Sequence, residues 1–533
     1  MKKVYFFGFA AVLLIITSIT VWSGGGSQPS AAGAGTNFNP TGMPIVNTPV
    51  ELTALTVRHA NMGESFINNT WMVELERRSN VRINWQVFSS VGWEERKAIL
   101  LASGNLPDII IGSIVFNDTD IMGNLDMFLP LDDLINQHMP RYRAAMQAIP
   151  ALRSIATFPD GRMYSMSRNL PNWSTVANQP IINGTWLDRL GLGIPSNLDE
   201  FVAVLRAFRD NDANGNGNPN DEFPISFTGE RIPAGLLEPF GITNSSASQM
   251  SIIDGRVFHW PSSPEYRDAI RWVRQLWVEG LIDPESYTQS SAMLLGKHQN
   301  PEAPQVGVAW AWTPLSGTFG QWGFQNIAIP PIAGPTGRRY ASGDHNGFLS
   351  IMRNEALITI FCSMPEVAAR YLDEWYESEA SIQNLWGPIG ISITKHDDGT
   401  YSLNSPPPGM SASDMYWGNS LRDFGPKFIE PGFSDRIRLD PTSGDGLKME
   451  IARMAEAYVM EPFPNIIFSP REMEELAALT VDLNSLINQT QARWVTQGGI
   501  DNEWDNYIRQ LNAIGLQRYI AILMDGYNRL PRR

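Results

Sequence analysis

The sequence predicts an α/β fold divided into two or more lobes. Three observations carry this. At 533 residues the chain is longer than one ordinary core accommodates. Its 43% apolar content is that of a globular protein rather than a disordered or membrane-embedded one. After residue 50, extended and helical patterns alternate as β-α-β-α-β with buried strands, which argues for a mostly parallel sheet covered on both faces.

The elements follow in order. Lys2 and Lys3 precede a mostly apolar run from Val4 to Trp22, and a Ser/Gly/Pro/Ala-rich stretch then extends to about Gly42. This is the layout of a signal peptide and flexible linker. The run is nearly long enough to span a bilayer, which leaves an uncleaved anchor open. No cysteine follows it, and no second long apolar run occurs. An exported chain is expected, free or tethered at its N-terminus. ELTALTVRH (51–59), VRINWQVF (81–88) and LPDIIIGS (106–113) read as strands, with helices over Asn68–Ser79 and Trp93–Ser103 between them. Ligands of such sheets sit at the carboxyl ends of strands, which points to Arg58–Asn61 and Gly112–Ile114.

The helix TWLDRLG stops at Gly191 and Gly193. Ser196 and Asp199 then read as an acidic capping box for LDEFVAVLRAF. YRDAIRWVRQLWVEGLI (266–282) is amphipathic, VGVAWAW (306–312) is a buried strand and MPEVAARYLDEWY (364–376) is a helix. Two amphipathic helices, Pro470–Asn488 and Trp504–Ile514, flank a break at Gly498 and Gly499.

Between these elements lies DNDANGNGNPNDEFP, Asp210–Pro224, with acidic or amide side chains at every second residue from Asp210 to Asn220. Alternating oxygen donors around a glycine-rich turn suit a hard cation of six to eight ligands, calcium above all. Two registers compete. One runs from Asp210 through Asp212 and Asn214 to Asp221, on EF-hand spacing. The other uses Asp212, Asn214 and Asn216 with Asp221 and Glu222. A bare Asn/Gly turn is the alternative to both. No reactive His, Lys or Ser stands nearby, so the expected cation is structural.

Composition excludes several functions. A net charge of -15 argues against a nucleic-acid partner. The single cysteine, Cys362, rules out an intramolecular disulfide and reads as a small buried hydrophobe. No G-x-S-x-G, H-E-x-x-H, Walker loop or strand-borne G-x-G-x-x-G is present, and the six histidines lack ligand spacing. Seventeen tryptophans stand out. Trp186, Trp277, Trp375 and Trp494 fall on apolar helix faces and read as core. Trp173, Trp260, Trp310, Trp312, Trp322, Trp386 and Trp417 sit in loops or at strand ends, where rings stack on the apolar faces of sugars. Asp344, His345 and Asn346 add polar groups in the same half.

Several segments together resemble one family. GNLPDIIIG, GRMYSMSR, TWLDRLGLGIPSNLDEFVAVLRAFRDNDANGNGNPNDEFPISF, LWVEGLIDPESY and the block from SPREMEELAALTVDLNSLINQTQARWV to LNAIGLQRYI are similar to family 1 extracellular solute-binding proteins of ABC importers. The likeness is to the calcium-bearing alginate-oligosaccharide-binding and Gram-positive lipoprotein type. It implies a two-lobed, type II-like periplasmic-binding fold, each lobe a mixed sheet flanked by helices, with hinge crossovers. The implied division is 1–23 signal peptide or anchor, 24–49 linker, 50–166 and 344–400 first lobe, 167–343 and 401–533 second lobe.

The family's calcium loop, D-P-N-G-N-G-K-x-D-E, carries over to Asp212, Asn214, Asn216, the Asn218 backbone, Asp221 and Glu222; Pro219-Asn220 replaces a single position there. A lipobox cysteine common in the family is replaced by VWSGGG, favouring a periplasmic or freely secreted protein. The resemblance implies a monomeric, non-enzymatic carrier of a sugar or oligosaccharide that delivers it to the transmembrane subunits of an ABC permease. The expected cleft residues are Trp310, Trp312, Trp386, Tyr416 and Trp417, followed by Tyr164 and Ser113. A secreted carbohydrate-active enzyme using two carboxylates, and a peptide-binding protein on the same fold, are the competing readings.

Overall fold

The computed structural model describes residues 37–530, apart from 60–61, 64–65, 171–175, 177, 230, 243–247, 344–349 and 411. The apolar N-terminal run, Trp173 and Asp344–Asn346 lie outside the described residues. In chain order the strands are β1 (Val50–Arg58), β2 (Val81–Ser89), β3 (Ile109–Ile111), β4 (Met166–Asn169), β5 (Gln179–Asn183), β6 (Phe223–Ile225), β7 (Met250–Ile253), β8 (Arg256–His259), β9 (Val306–Ala311), β10 (Asn326–Ala328), β11 (Ile351–Ile358), β12 (Ile393–Lys395), β13 (Tyr401–Leu403) and β14 (Ile437–Arg438).

Two mixed sheets organise two lobes. The first has the order β2-β1-β3-β11-β4, and the second β10-β5-β9-β6. In the first, β1 pairs in parallel with β2 along its full length, from Val50 opposite Val81 to Arg58 opposite Ser89. β1 is also parallel to β3, while β11 runs antiparallel between β3 and β4. Both faces of its central strands are buried, as their apolar residues require, while the edge strand β2 is half exposed. Leu52, Ala54, Ile109, Ile111, Ala356 and Ile358 enter one core cluster; Leu55, Val57, Ile110 and Leu357 enter another on the opposite face. The expected third strand is shorter than 106–113, because Pro107 and Gly112 limit it to three isoleucines.

In the second lobe, Trp186, Phe201, Leu205, Phe208, Tyr266, Ile270 and Val273 form the core with Val308 of β9. Asn197, not Ser196, caps the helix Leu198–Asp210, accepting the Glu200 N–H at 3.0 Å. Ser196 instead donates through its backbone N–H and hydroxyl to Glu200 Oε2, so the predicted box is displaced by one residue and closes on Glu200 rather than Asp199.

The helix beginning at Pro470 continues past Asn488 to Gln497, because its last turns bury Thr490, Gln491, Trp494 and Val495. Gly498, at φ 86°, ends it. Helices Ile500–Ile514 and Leu516–Arg529 follow. The start of the long helix touches the other lobe: Ile467 and Met473 pack on the cluster of Val115, Phe116 and Met122.

Three segments run side by side where the chain passes between the sheets. Val176 bridges Gly343, and Ala341 bridges Val459. Val176, Ala341, Ala452 and Ala455 form a small core there, with Val459 packed against it. Among the described residues, no helix is long and apolar enough to cross a membrane.

Candidate functional site

The carboxyl ends of β1 and β3 converge with the segment Tyr416–Lys427. His59, just past β1, lies 5.1 Å from Trp417 and 6.0 Å from Phe424, ring centre to ring centre. Gly63 passes close to Gly418: an added Cβ would sit 3.1 Å from its Cα, a tight approach that a side chain would have to widen by a few tenths of an ångström. Gly112, at φ 101°, faces Phe424.

Beneath these loops a buried charge pair fixes their positions. Arg168 donates through Nε to Glu355 Oε1 at 2.5 Å, with neither side chain exposed. The other oxygen of Glu355 accepts the N–H groups of Ser113 (3.2 Å) and Gly425 (2.7 Å). One carboxylate thus ties the loop after β3 to the loop after Phe424. Lys427, also fully buried, donates to the carbonyls of Phe424 and Gly425. Burial pulls its pKa down to about 7, against the Glu355 charge, which raises it.

Trp312 stands one residue past β9, with Lys448 Nζ 3.8 Å over its ring. Burial lowers the Lys448 pKa to about 7. Asp445, one helical turn earlier, is raised by desolvation and pulled back by the charge of Arg422, which comes from the segment Tyr416–Lys427. The Arg422 guanidinium lies 5.5 Å over Tyr416, whose hydroxyl donates to the Asn404 carbonyl. Burial, and then the Asp445 charge, push the Tyr416 pKa up to about 12. The two segments thus come within electrostatic reach of each other through Asp445, Arg422 and Tyr416, each bearing an aromatic ring beside a cation. Such a surface is suited to stacking and hydrogen-bonding a neutral polar ring.

The expected cleft residues divide. Ser113 is held by Glu355, Trp417 lies beside His59, Tyr416 lies under Arg422, and Trp312 lies under Lys448. Trp386 does not belong with them: it is fully buried and stacked 5.7 Å from Phe433, because its helix faces a satellite core with Leu170 and Tyr401. Tyr164 is also a core residue, edge-on to Phe158 with its hydroxyl donated to Asp160. Trp310 packs its indole over Gly235 in the second-lobe core. Trp260 is buried, and Trp322 donates its indole N–H to the Asn300 carbonyl. His59 falls within the expected stretch Arg58–Asn61, whereas the sequence reading missed Arg422, Phe424, Asp445 and Lys448. The last two had a signal: charged residues three apart at the start of a helix share one face.

The Asn-rich loop lies within the second lobe. Asp210 is drawn out of it by Arg209, with contacts of 2.6 and 2.9 Å. Asp212 faces inward and accepts the N–H groups of Gly215 (2.8 Å) and Gly217 (2.9 Å). Asp221 accepts the side-chain amides of Asn214 (3.1 Å) and Asn216 (2.8 Å). Asn218 continues the turn, donating its N–H to Asn216 Oδ1. Glu222 is 8% exposed. Its Oε1 accepts the Asn214 N–H, and its Oε2 is buried with no partner. Burial raises its pKa, with Asp221 and Asp212 adding to the effect.

Among the described residues, no group of three His, Cys, Asp or Glu side chains stands ready to hold a metal. The donor chemistry nonetheless fits a hard cation. Three carboxylates and two amides surround one turn, an orphaned oxygen faces it, and turning the amides of Asn214 and Asn216 over presents oxygen in place of nitrogen.

No protein-family model matches the chain. It is 28% identical over 475 residues to the fructooligosaccharide ABC transporter substrate-binding protein FusA of Streptococcus pneumoniae, covering 85% of this chain and 86% of that one. FusA solved with kestose superposes with a TM-score of 0.75, at 25% identity, over 90% of this chain and 99% of that one. Another structure of that protein, at 24% identity and the same TM-score and coverage, is of an EF-hand mutant with fructo-nystose. A human-milk-oligosaccharide-binding ABC-transporter solute-binding protein from Bifidobacterium longum infantis gives a TM-score of 0.78, at 23% identity, over 90% and 99% of the two chains. Alginate-binding protein AlgQ2 without calcium gives 0.65, at 22% identity, over 91% and 99%. The fold is that of the two-lobed solute-binding proteins.

Proposed function

We infer that this chain, a two-lobed relative of the ABC-transporter substrate-binding proteins, is the extracytoplasmic component that captures a sugar or oligosaccharide between its lobes and passes it to a membrane permease. The near full-length match to FusA carries this reading. The aromatic and charged groups past β1 and β9, His59 with Trp417 and Trp312 with Lys448, have the chemistry such a site needs and support the reading. Trp417 and Trp312 stack on sugar rings, Tyr416, Ser113, Arg422 and Asp445 bind hydroxyls, and closure of the lobes shifts to the liganded form by the ligand's preference for it.

The chain acts as a monomeric binder, not an enzyme. Its working parts are the first lobe, built on 50–166 and 344–400, and the second, on 167–343 and 401–533. The segment 417–428 reaches across to pack on the first lobe's core. The N-terminal run, 1–23, directs export, giving a periplasmic or extracellular protein, free or tethered; the expected linker 24–49 is shorter than that, because Ile45 and Val46 are buried in the first lobe's core and Phe38 bridges Val46.

Calcium is the structural cation, held by Asp212, Asn214, Asn216, the Asn218 backbone, Asp221 and Glu222. The outward pairing of Asp210 with Arg209 supports this register over the EF-hand one. The cation supplies charge compensation that lets the carboxylates converge and fixes the end of the helix Leu198–Asp210.

A thermal-shift screen of the chain from about Gly42, with calcium present, against neutral and acidic mono- and oligosaccharides tests the reading. A concentration-dependent rise in midpoint with the sugar recovered intact supports it. Turnover of the sugar, or a response confined to peptides, overturns it.

A further inference from the structure

The Asn-rich loop holds two Asn-Gly pairs, Asn214-Gly215 and Asn216-Gly217. A glycine after asparagine offers a backbone nitrogen with no Cβ to hinder its attack on the preceding side-chain amide, which makes such pairs chemically labile in flexible chains. Here both attacking nitrogens are engaged by one carboxylate. Gly215 N–H donates to Asp212 Oδ1 at 2.8 Å, and Gly217 N–H to Asp212 Oδ2 at 2.9 Å. The two amides under attack are held as well, at 3.1 and 2.8 Å, by the two oxygens of Asp221. Gly215, Asn216 and Gly217 are exposed, so water reaches the loop.

We propose that Asn214 and Asn216 are latent deamidation sites, kept unreacted because Asp212 holds the Gly215 and Gly217 amides away from them. In the reaction the Gly215 nitrogen bonds to Cγ of Asn214 and its proton passes to water. The bond from Cγ to the side-chain nitrogen breaks, and ammonia leaves. Water then opens the resulting five-membered imide at either carbonyl, giving aspartate or isoaspartate. One water is consumed, one ammonia is released, and nothing is oxidised or reduced. The same holds at Asn216 with Gly217. Aspartate adds a fourth carboxylate to a loop that already carries Asp212, Asp221 and Glu222. Isoaspartate inserts a methylene into the backbone and displaces the glycine from Asp212. The loop is then a one-way modification site, silent only while Asp212 stays in place.

The test follows deamidation by peptide mapping and mass spectrometry in the full-length protein with calcium chelated, native and in urea, so that the cation proposed for Asp212, Asn214 and Asn216 neither shields the loop nor separates the variants. The native chain is expected to react at 210–224 at least about tenfold more slowly than the unfolded chain. In Asp212→Asn, shown folded by near-ultraviolet circular dichroism, one oxygen faces two N–H groups, and the rate at 210–224 should rise toward the unfolded value. Asn183-Gly184 is the internal control: Asn183 is fully buried and held by Trp186 N–H and Gln325, so it stays intact in both native proteins. Equal rates in native and unfolded wild type overturn the proposal without reference to any variant. So does a folded Asp212→Asn protein that deamidates no faster than wild type.

Discussion

Arg168 and Glu355 meet at 2.5 Å with neither side chain exposed, joining β4 to β11 beside the loops of Ser113 and Gly425. Removing one partner leaves an uncompensated buried charge, which costs about 3–5 kcal/mol. Glu355→Gln should therefore lower stability in urea by that order. Because Glu355 also accepts the Ser113 and Gly425 amides, hydrogen exchange at those two positions should accelerate more than at the neighbouring β3 amides. Uniform acceleration across the sheet would refute the positional role.

Trp312 and Trp386 should part company on mutation. Trp386→Ala empties a fully buried site and should destabilise the fold by about 3–5 kcal/mol. Trp312→Ala should weaken sugar binding by about fivefold, the loss of one stacking contact worth roughly 1 kcal/mol, with a much smaller change in melting midpoint. Calorimetric titration and thermal melts of both variants decide the matter. Unaltered affinity in Trp312→Ala would remove that ring from the cleft.

Glu238 is buried and accepts the Ser342 N–H at 3.0 Å, beside the crossing segments. Burial pushes its pKa up to about 7. An acid whose folded pKa lies above its unfolded value binds more protons when folded, so its contribution favours the fold at low pH and is lost as pH rises from about 4.5 to 7. Glu238→Gln keeps an acceptor for Ser342 and removes the ionisation. The variant should be more stable than wild type at pH 8, by no more than about 3 kcal/mol, with the gap closing toward pH 5. A gap independent of pH would show that Glu238 ionises freely.

Calcium should raise the melting midpoint of the wild type, by a stabilisation of about 2.7 kcal/mol at a concentration one hundred times its dissociation constant. Asp212→Ala should abolish that response while leaving sugar affinity in place. A midpoint indifferent to chelation would leave the loop a simple turn.

The parts of the fold that the sequence revealed are those decided by local pattern. Trp93–Ser103 matches its predicted span, Val50–Arg58 is shifted by one residue at each end, and Val81–Ser89 is longer by one. Cys362 is buried between β11 and the following helix, as its apolar surroundings required. The Asn-rich loop announced itself through alternation. The cleft did not, because its members meet only after folding. Arg422, Asp445 and Lys448 acquire meaning through Tyr416 and Trp312, which lie up to 136 residues from Lys448 in the chain. Position in a loop or near a glycine misled for Trp386 and Trp260, since a short helix or single turn is enough to turn an indole inward. The last helix, Leu516–Arg529, shows clear apolar spacing that went unread.

The long helix Pro470–Gln497 starts against the first lobe, where Met473 packs, and finishes in the second, where Trp494 and Val495 are buried. With three segments already running between the sheets, neither lobe is a continuous stretch of chain that could be excised and expected to fold alone. Heat should therefore melt the molecule in a single calorimetric transition, and a cut introduced in either half should be felt in both.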